Sequence, residues 1–402
     1  MRLERLSTRS LGVEGVLARL ERRWSIEEYM GRVKPIVDDV AERCYDAVRE
    51  YSCRFDGACH DDPLIPRSEL AEYEDALDQR LLDAIDKVVE STRKYFTSIK
   101  PADTVSRGIR TIWKPVDSVA LYVPGGKNPY PSTAVMTVTP ASVAGARTIS
   151  VLTPPRPGRL KADPATVVAA YRAGATGVYA VGGPQAIAGA AYGCKPLPKA
   201  DMIAGPGGAY VQAAKALVAA RVGVDMIAGP TELLVVALGV EPRRVAVEAL
   251  AQAEHGPAST VVVVSPDRGL LDAAAAEIAE LAGGRGDLAA IYLVETASIE
   301  EALKLADGYA PEHLLFLGVE PPWIPSAGAV SLGVPTAYLD YAAGPSHVLP
   351  TNGAARWRGG LSVYDFLRPV AVVESMDRGL LDAARALAEY EGFTLHRRSL
   401  EV

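Results

Sequence analysis

The spacing of apolar residues over the first hundred positions predicts long helices. One helical pattern begins at Ser25, which can cap it, and runs to Asp56. Apolar residues recur in it at intervals of three and four, at Val33, Ile36, Val37, Val40 and Ala41. A second pattern of the same kind covers residues 67–98. Residues 1–24 mix charged and apolar side chains, which indicates an N-terminal arm or a short helical piece.

From about residue 109 the pattern changes to short apolar runs that alternate with alanine-rich helical segments. Strands are predicted over residues 119–123, 149–152, 178–181, 201–204, 233–237, 260–264, 290–293 and 314–317. Between them, helices are predicted from about residue 132, over 164–173 and 185–191, up to 220, and over 242–253, 270–281 and 299–305. This alternation predicts parallel sheets with helices on both faces. A further helix is predicted over 376–390, followed by a short tail.

Glycine-rich turns follow three of the predicted strands, at residues 124–126, 182–183 and 205–208. Backbone N–H groups at such turns favour phosphate, and ligands bind at the carboxyl ends of strands in open α/β sheets. The glycines are equally consistent with tight turns that bind nothing. The single Gly-x-Gly-x-x-Ala match, at 284–289, follows a helix and precedes a strand. That order is wrong for a dinucleotide fingerprint, so we interpret it as a loop.

Composition narrows the class of protein. A chain of 402 residues is too long for one ordinary core, so two or more domains are expected. The net charge of −7 argues against nucleic acid as a partner. No apolar run approaches the roughly 18 residues of a membrane helix, and the N-terminus lacks the apolar segment of a secretory signal. A cytoplasmic protein with no membrane contact is therefore expected. The spacing of the four cysteines, Cys44, Cys53, Cys59 and Cys194, does not suggest a disulfide framework.

Histidines are scarce, and four of the five lie at segment ends near glycine, proline or a carboxylate. These are His255, His313, His347 and His396. Each one alone is more typical of a surface or capping residue, whereas four together favour a shared site. His255 lies three residues after Gln252 on one face of a predicted helix, where the two could bind zinc. Taken alone, this pair is better explained as a polar helix end.

Other pairs of carboxylate and imidazole offer further chemistry. Glu312 and His313 are adjacent, and two such groups can serve separate proton transfers. The segment from Asp340 to His347 and the segment from Glu391 to His396 each contain the same two side-chain types. A mixed nitrogen and oxygen set is typical of an open catalytic zinc site. The residues that would form it are Gln252, His255, Asp340 and His396, but their spacing does not show that they converge.

Eight ordered motifs resemble the histidinol dehydrogenase family, from about Val33 to the C-terminus. They are Tyr122–Gly126, Gly182–Ile187, Gly205–Gly207, Asp225–Glu232, Gln252–Pro257, Ala310–Leu314, Asp340–Pro350 and Glu391–His396. The resemblance implies an α/β fold of two Rossmann-like doubly wound domains, the second inserted in the first, with small N- and C-terminal dimerisation pieces. The N-terminal arm is residues 1–24, and the first domain comprises 25–118 and 231–365. The inserted nucleotide-binding domain is 119–230, and the C-terminal helical tail is 366–402.

The resemblance also implies a reaction. The family oxidises L-histidinol through the aldehyde to L-histidine, in histidine biosynthesis, with two NAD per turnover. By resemblance, His313 is the general base for alcohol oxidation and Glu312 activates the water that attacks the aldehyde. One Zn²⁺ per subunit is held by Gln252, His255, Asp340 and His396. Substrate contacts are expected at Thr231, Gln252, His255, His313, Asp340, His347, Glu391 and His396.

For the cofactor, the resemblance implies NAD contacts at Tyr122 and Gln185 and at position 208. The family usually has asparagine at that last position, where this chain has Gly208. The family is a homodimer in which the C-terminal tail completes the partner's site, so Glu391 and His396 would act in trans. Three competing hypotheses remain from the sequence: a relative of the same fold that acts on another alcohol, a zinc hydrolase without nucleotide, and a non-catalytic binding protein.

Overall fold

The computed structural model describes residues 2–20, 24–125 and 128–401. Gly126, at the end of the first glycine motif, lies outside the described residues, as do positions 1 and 21–23 of the predicted arm. The strands are β1 (Leu3–Ser7), β2 (Leu64–Ile65), β3 (Thr104–Ser106), β4 (Ile109–Pro115), β5 (Ser118–Tyr122), β6 (Thr148–Thr153), β7 (Gly177–Ala180), β8 (Met202–Ala204), β9 (Gly223–Val224), β10 (Glu232–Ala237), β11 (Thr260–Ser265), β12 (Ala290–Glu295), β13 (His313–Leu317), β14 (Ala329–Leu332) and β15 (Leu367–Val373).

The helices alternate with these strands over most of the chain. They are α1 (Thr8–Arg19), α2 (Glu27–Arg43), α3 (Tyr45–Asp56), α4 (Leu70–Glu74), α5 (Gln79–Ile99), α6 (Pro131–Ala144), α7 (Pro164–Ala173), α8 (Gly183–Tyr192), α9 (Ala209–Val218), α10 (Pro242–Ala253), α11 (Arg268–Ala282), α12 (Ile299–Tyr309), α13 (Thr336–Tyr341), α14 (Leu381–Tyr390) and α15 (Thr394–Ser399). The bounds of α7 and α10 coincide with those predicted, because each has proline in its first turn and a glycine signal at or beyond its end.

One six-stranded parallel sheet has the order β1-β12-β11-β10-β13-β14. Its central strands are buried on both faces, which explains their continuous runs of valine and leucine. Helices α10 and α11 pack on one face, and α1 and α12 pack on the other. The N-terminal strand β1, where an arm or helical piece is predicted, is an edge strand of this sheet.

A second six-stranded sheet has the order β2-β7-β6-β5-β8-β9 and is parallel except for β2. Helices α5, α6 and α7 cover one face, and α2, α3, α8 and α9 cover the other. The predicted division joins residues 25–118 to the 231–365 segment. In the structure, α2, α3 and α5 pack instead on this second sheet, because the buried apolar side chains of these helices contact its apolar faces.

The third sheet is small and antiparallel, with the order β15-β4-β3. Its strands are largely exposed, and β3 and β4 lack the apolar runs that identify the other strands. Helices α14 and α15 follow β15, and neither has a buried residue. No helix in the described part of the chain has the length and apolar character needed to cross a membrane.

The expectation that the chain has no disulfide framework is wrong for this structure. Cys44 is bonded to Cys194, 150 positions away, and Cys53 is bonded to Cys59. The Cα atoms are 4.9 and 4.6 Å apart, within the range that a disulfide spans. Cys44 has φ of 56° and divides the single predicted helix into α2 and α3. The packing of α2 and α3 against α8 brings Cys44 to Cys194, so their spacing in the sequence does not reveal the pair.

Candidate active site

The expected catalytic residues lie at the amino ends of parallel strands in the first sheet. Thr231 directly precedes β10, His313 is the first residue of β13, and Leu233 lies opposite His313 in the ladder. Helix α10 ends at Ala253 and leads through His255 to the amino end of β11. The register of the three strands therefore gathers residues that are some 80 positions apart in the chain.

Glu312 is buried and accepts two hydrogen bonds through Oε2. The Thr231 hydroxyl donates one, and the backbone N–H of Glu232 donates the other at 2.9 Å. Gln252 Nε2 donates to Thr231 Oγ1 at 2.6 Å, so the amide, the hydroxyl and the carboxylate form one chain. Burial raises the pKa of Glu312 to about 8, although both hydrogen bonds oppose the shift. A proton acceptor of this strength is suited to abstracting a proton near neutral pH.

His313 is also buried, and its Nε2 lies 3.4 Å from Asp340 Oδ1. Burial lowers the pKa of His313 to about 3, and the nearby rings of His347 and His255 add to the shift. The imidazole is therefore neutral and able to accept a proton. Burial raises the pKa of Asp340 to about 7, and the charge of Glu248 adds to this shift.

His347 is held at both ring nitrogens. Its Nδ1 lies 2.8 Å from the carbonyl oxygen of Asp340, and its Nε2 lies 3.0 Å from the hydroxyl of Thr133. A carbonyl only accepts, so Nδ1 carries the proton and Nε2 accepts from the threonine. Thr133 is on α6 of the second sheet, so this contact joins the two halves of the site. Sequence reasoning missed Thr133, whose only signal is its position in the first turn after a glycine motif.

Gln252 and Asp340 each carry an acceptor oxygen in this region. Gln252 is buried and uses Nε2 as a donor to Thr231, which leaves its carbonyl oxygen as the other polar atom. Asp340 Oδ1 is buried and has no hydrogen-bond partner among the described residues. His255 is exposed by surface area, and partial burial of its ring lowers its pKa. No group of three His, Cys, Asp or Glu side chains suited to a metal occurs in the described ranges of this single chain.

The expected cofactor residues lie at the carboxyl ends of strands in the second sheet. Tyr122 ends β5, and its hydroxyl accepts a hydrogen bond of 3.2 Å from the N–H of Gly183. Gln185, in the first turn of α8, is fully buried beneath this turn. Gly208 is exposed and stands immediately before α9. The contact between Thr133 and His347 joins the first turn of α6, the helix that follows β5, to the segment beside Asp340.

The structure does not bring Glu391 and His396 to the other expected site residues within one chain. Both are exposed, on the tail formed by α14 and α15. The His396 ring packs against Phe393, with 5.1 Å between centroids. Apolar side chains of this tail are exposed to solvent, with Leu387 62%, Tyr390 92% and Leu395 74% accessible. A tail with this surface is expected to be covered by another molecule.

Comparisons with known proteins show the family to which the chain belongs. Residues 20–402 match the family model described as Histidinol dehydrogenase. A histidinol dehydrogenase of Thermus thermophilus is 40% identical, over 97% of this chain and 98% of the relative. One from Saccharolobus solfataricus is 38% identical, over 92% of this chain and 94% of the relative. The crystal structure of histidinol dehydrogenase from Elizabethkingia anophelis superposes with a TM-score of 0.90 at 28% identity, covering 100% of this chain and 97% of that one.

Proposed function

The chain belongs to the histidinol dehydrogenase family of NAD-dependent oxidoreductases in histidine biosynthesis, and we propose that it oxidises L-histidinol by four electrons, through L-histidinaldehyde, to L-histidine with two NAD. The observation that carries this proposal is the pairing of a neutral, buried His313 with a buried Glu312 of raised pKa. Two neighbouring acceptors of different strength suit two successive proton abstractions.

In the first half-reaction, we assign to His313 the proton of the substrate hydroxyl. Its neutral ring accepts that proton as the carbinol carbon loses hydride to NAD, the electron acceptor of the reaction. The carbonyl oxygen of Asp340 and the Thr133 hydroxyl hold the ring of His347, and the family resemblance makes His347 a candidate contact for the substrate. The product of this step is the aldehyde.

In the second half-reaction, we assign to Glu312 the proton of the attacking water. The carboxylate takes this proton as the water oxygen adds to the aldehyde carbon, and the resulting hydrate loses a second hydride to NAD. Thr231 lies between Glu312 and Gln252 and so orients the carboxylate from one side, while the N–H of Glu232 does so from the other. Fixed orientation of the base limits the reorganisation that the step requires.

For zinc, the donor atoms fit an open site of mixed ligands. Asp340 has a buried oxygen without a hydrogen-bond partner among the described residues, and Gln252 uses its amide nitrogen, not its carbonyl oxygen, in the hydrogen bond to Thr231. With a ring nitrogen of neutral His255, these supply three ligands from one chain, and His396 of a partner subunit would supply the fourth. Bound there, zinc would orient and polarise the substrate. We therefore propose one Zn²⁺ per subunit.

The exposed tail supports the proposal of a homodimer with exchanged tails. Glu391 and His396 lie apart from the other expected site residues in one chain, yet Glu391 would complete the substrate contacts and His396 the zinc ligands. Placing the tail of one subunit over the site of another would bury its apolar side chains and deliver both residues. We also propose that residues 119–230 act as the nucleotide-binding unit. Tyr122, Gln185 and the turn at Gly208 would contact NAD.

The test is the number of NADH molecules formed per L-histidinol consumed, with zinc supplied and NAD in excess. Two NADH with L-histidine as the product supports the full proposal. One NADH with accumulated aldehyde contradicts the assignment of the second half-reaction. If no NADH forms, L-histidinol is not the substrate. Treatment with a chelator is expected to abolish turnover and zinc to restore it, with the dimer intact by sedimentation. Full turnover of the metal-free protein would contradict the zinc proposal.

A further inference from the structure

Helices α3 and α8 lie side by side and run in opposite directions. Cys44, immediately before α3, is bonded to Cys194, two residues beyond the end of α8. At the other end of the pair, Asp56, the last residue of α3, meets Gln185 in the first turn of α8. The α3 helix comes from outside the predicted nucleotide-binding unit. It therefore ends beside Gln185, a residue expected to contact the cofactor.

Gly189 in α8 lies where the two helices approach each other. A Cβ atom there would lie 3.1 Å from Val48 Cγ2 on α3. The disulfide between Cys53 and Cys59 closes the short loop that carries Asp56. The position of the Asp56 carboxylate is thus constrained by its helix and by its loop.

Asp56 is the acceptor that orients the buried amide of Gln185. Gln185 Nε2 donates to Asp56 Oδ2 at 3.4 Å, and Gln185 Oε1 is buried without a hydrogen-bond partner among the described residues. That oxygen faces the turn, because a Cβ at Gly183 would lie 2.6 Å from it. The carboxylate therefore decides which end of the amide faces the turn.

The same carboxylate acts on Tyr122. Burial raises the pKa of Tyr122 to about 12, and the nearby charge of Asp56 adds to the shift. The Tyr122 hydroxyl in turn accepts from the N–H of Gly183. Both side chains that are expected to contact NAD are thus coupled to one acidic residue, which no motif of the sequence identified.

We propose that Asp56 is a positioning residue for the dinucleotide, which acts by holding the amide of Gln185 beneath the Gly182–Gly183 turn. This inference rests on the proposed function, because it takes Gln185 to be part of the NAD site. Removal of the carboxylate leaves a buried N–H group without an acceptor, which is unfavourable, so the amide and the turn above it rearrange. An asparagine at position 56 still offers a carbonyl oxygen and preserves the orientation.

Calorimetric titration with NAD tests the proposal without any turnover. Asp56→Ala is expected to weaken NAD binding about tenfold, the effect of one hydrogen bond on an equilibrium constant, and Asp56→Asn by less than about threefold. In steady state, Asp56→Ala should raise KM for NAD while KM for histidinol stays unchanged. Asp46→Ala, which removes an exposed carboxylate at the other end of α3, is the matched control.

A double-mutant cycle with Gln185→Leu distinguishes action through Gln185 from a general structural role. With Gln185 already replaced, Asp56→Ala is expected to cause no further loss of NAD affinity. Additive losses would overturn the proposal, as would NAD affinity within twofold of wild type for Asp56→Ala alone. Thermal unfolding of each variant shows whether it is folded. If Asp56→Ala is not folded, the NAD affinity of Asp56→Asn is compared with that of wild type, and a loss greater than about threefold would overturn the proposal. Wild-type enzyme that binds NAD but forms no NADH from histidinol would contradict the proposed function instead.

Discussion

Lys215 and Asp225 form a completely buried ion pair, with 2.6 Å between Nζ and Oδ1. Together they hold the backbone of Gly205 from both sides. The lysine donates to its carbonyl oxygen at 2.8 Å, and the carboxylate accepts from its N–H at 2.8 Å. Gly205 has φ of +111°, and a Cβ there would lie 2.3 Å from the carbonyl oxygen of Tyr122. The pair therefore shapes the turn that leads to Gly208.

Lys215→Met is expected to lower the free energy of unfolding by about 3–5 kcal/mol, because it leaves the buried charge of Asp225 without its partner. Urea unfolding followed by circular dichroism measures the change. The control is Arg243→Met, which breaks an exposed pair with Glu277 and should cost less than about 1 kcal/mol. Equal losses in the two variants would contradict the role assigned to the buried pair.

Gly208→Asn is expected to tighten NAD binding several-fold, because the resemblance implies an asparagine contact with NAD at this position. Gly208 has φ of −65° at the N-cap of α9, and a Cβ there would meet nothing within 4 Å. Asparagine is also favoured as an N-cap, so stability should not fall. KM for NAD and the thermal midpoint measure the two effects.

Gly207→Asn is the control for that experiment, since its Cβ would lie 2.6 Å from Val211 Cγ1. This variant should lose both NAD affinity and stability. A Gly208→Asn enzyme that binds NAD no better than wild type would remove position 208 from the proposed cofactor contacts.

Glu312→Gln is expected to slow oxidation of the aldehyde by at least about a hundredfold, the scale of general-base catalysis, and oxidation of the alcohol much less. Single-turnover experiments that start from histidinol or from histidinaldehyde separate the two rates. Thr231→Val, which removes one hydrogen bond to the same carboxylate, should reduce the aldehyde step more modestly. Equal slowing of both half-reactions would contradict the division between Glu312 and His313.

The raised pKa of Glu312 also predicts a pH dependence. Its carboxylate form grows as pH rises through about 8, so the aldehyde step should accelerate up to that pH and then level off. The folded protein keeps this proton above pH 4.5, where an unfolded glutamate loses it, so stability should fall as pH rises toward 8. Both trends should be absent from Glu312→Gln. A wild-type aldehyde step that does not change between pH 6 and about 8 would oppose the assignment.

Mixed dimers test the exchanged tails. A dimer of one His396→Ala subunit and one Glu312→Gln subunit should recover up to half of wild-type activity, because one site then has an intact core and an intact tail. In dimers of wild type with a subunit that carries both substitutions, every site would have one defect, so activity should be low. The opposite pattern in purified heterodimers would show that each tail serves its own subunit.

Local signals in the sequence were sufficient for much of the fold. Asp163 caps α7 by accepting from the N–H of Thr166, and proline follows in the first turn. The central strands are continuous apolar runs because both faces of their sheets are buried. Exposed or edge strands such as β1 and β4 have no such run, so composition gives no sign of them. Their partners lie far away in the chain: β4 pairs with β15, more than two hundred residues later.

The sequence by itself determined the periodic elements, the glycine turns and the neighbouring side chains of Glu312 and His313, since these depend on residues close together in the chain. Only the tertiary structure decided that Asp340 meets His313, that Thr133 meets His347, and that Cys44 is bonded to Cys194. Strand register and helix packing create those contacts. Both depend on which apolar faces bury each other, and one sequence read alone does not specify that choice.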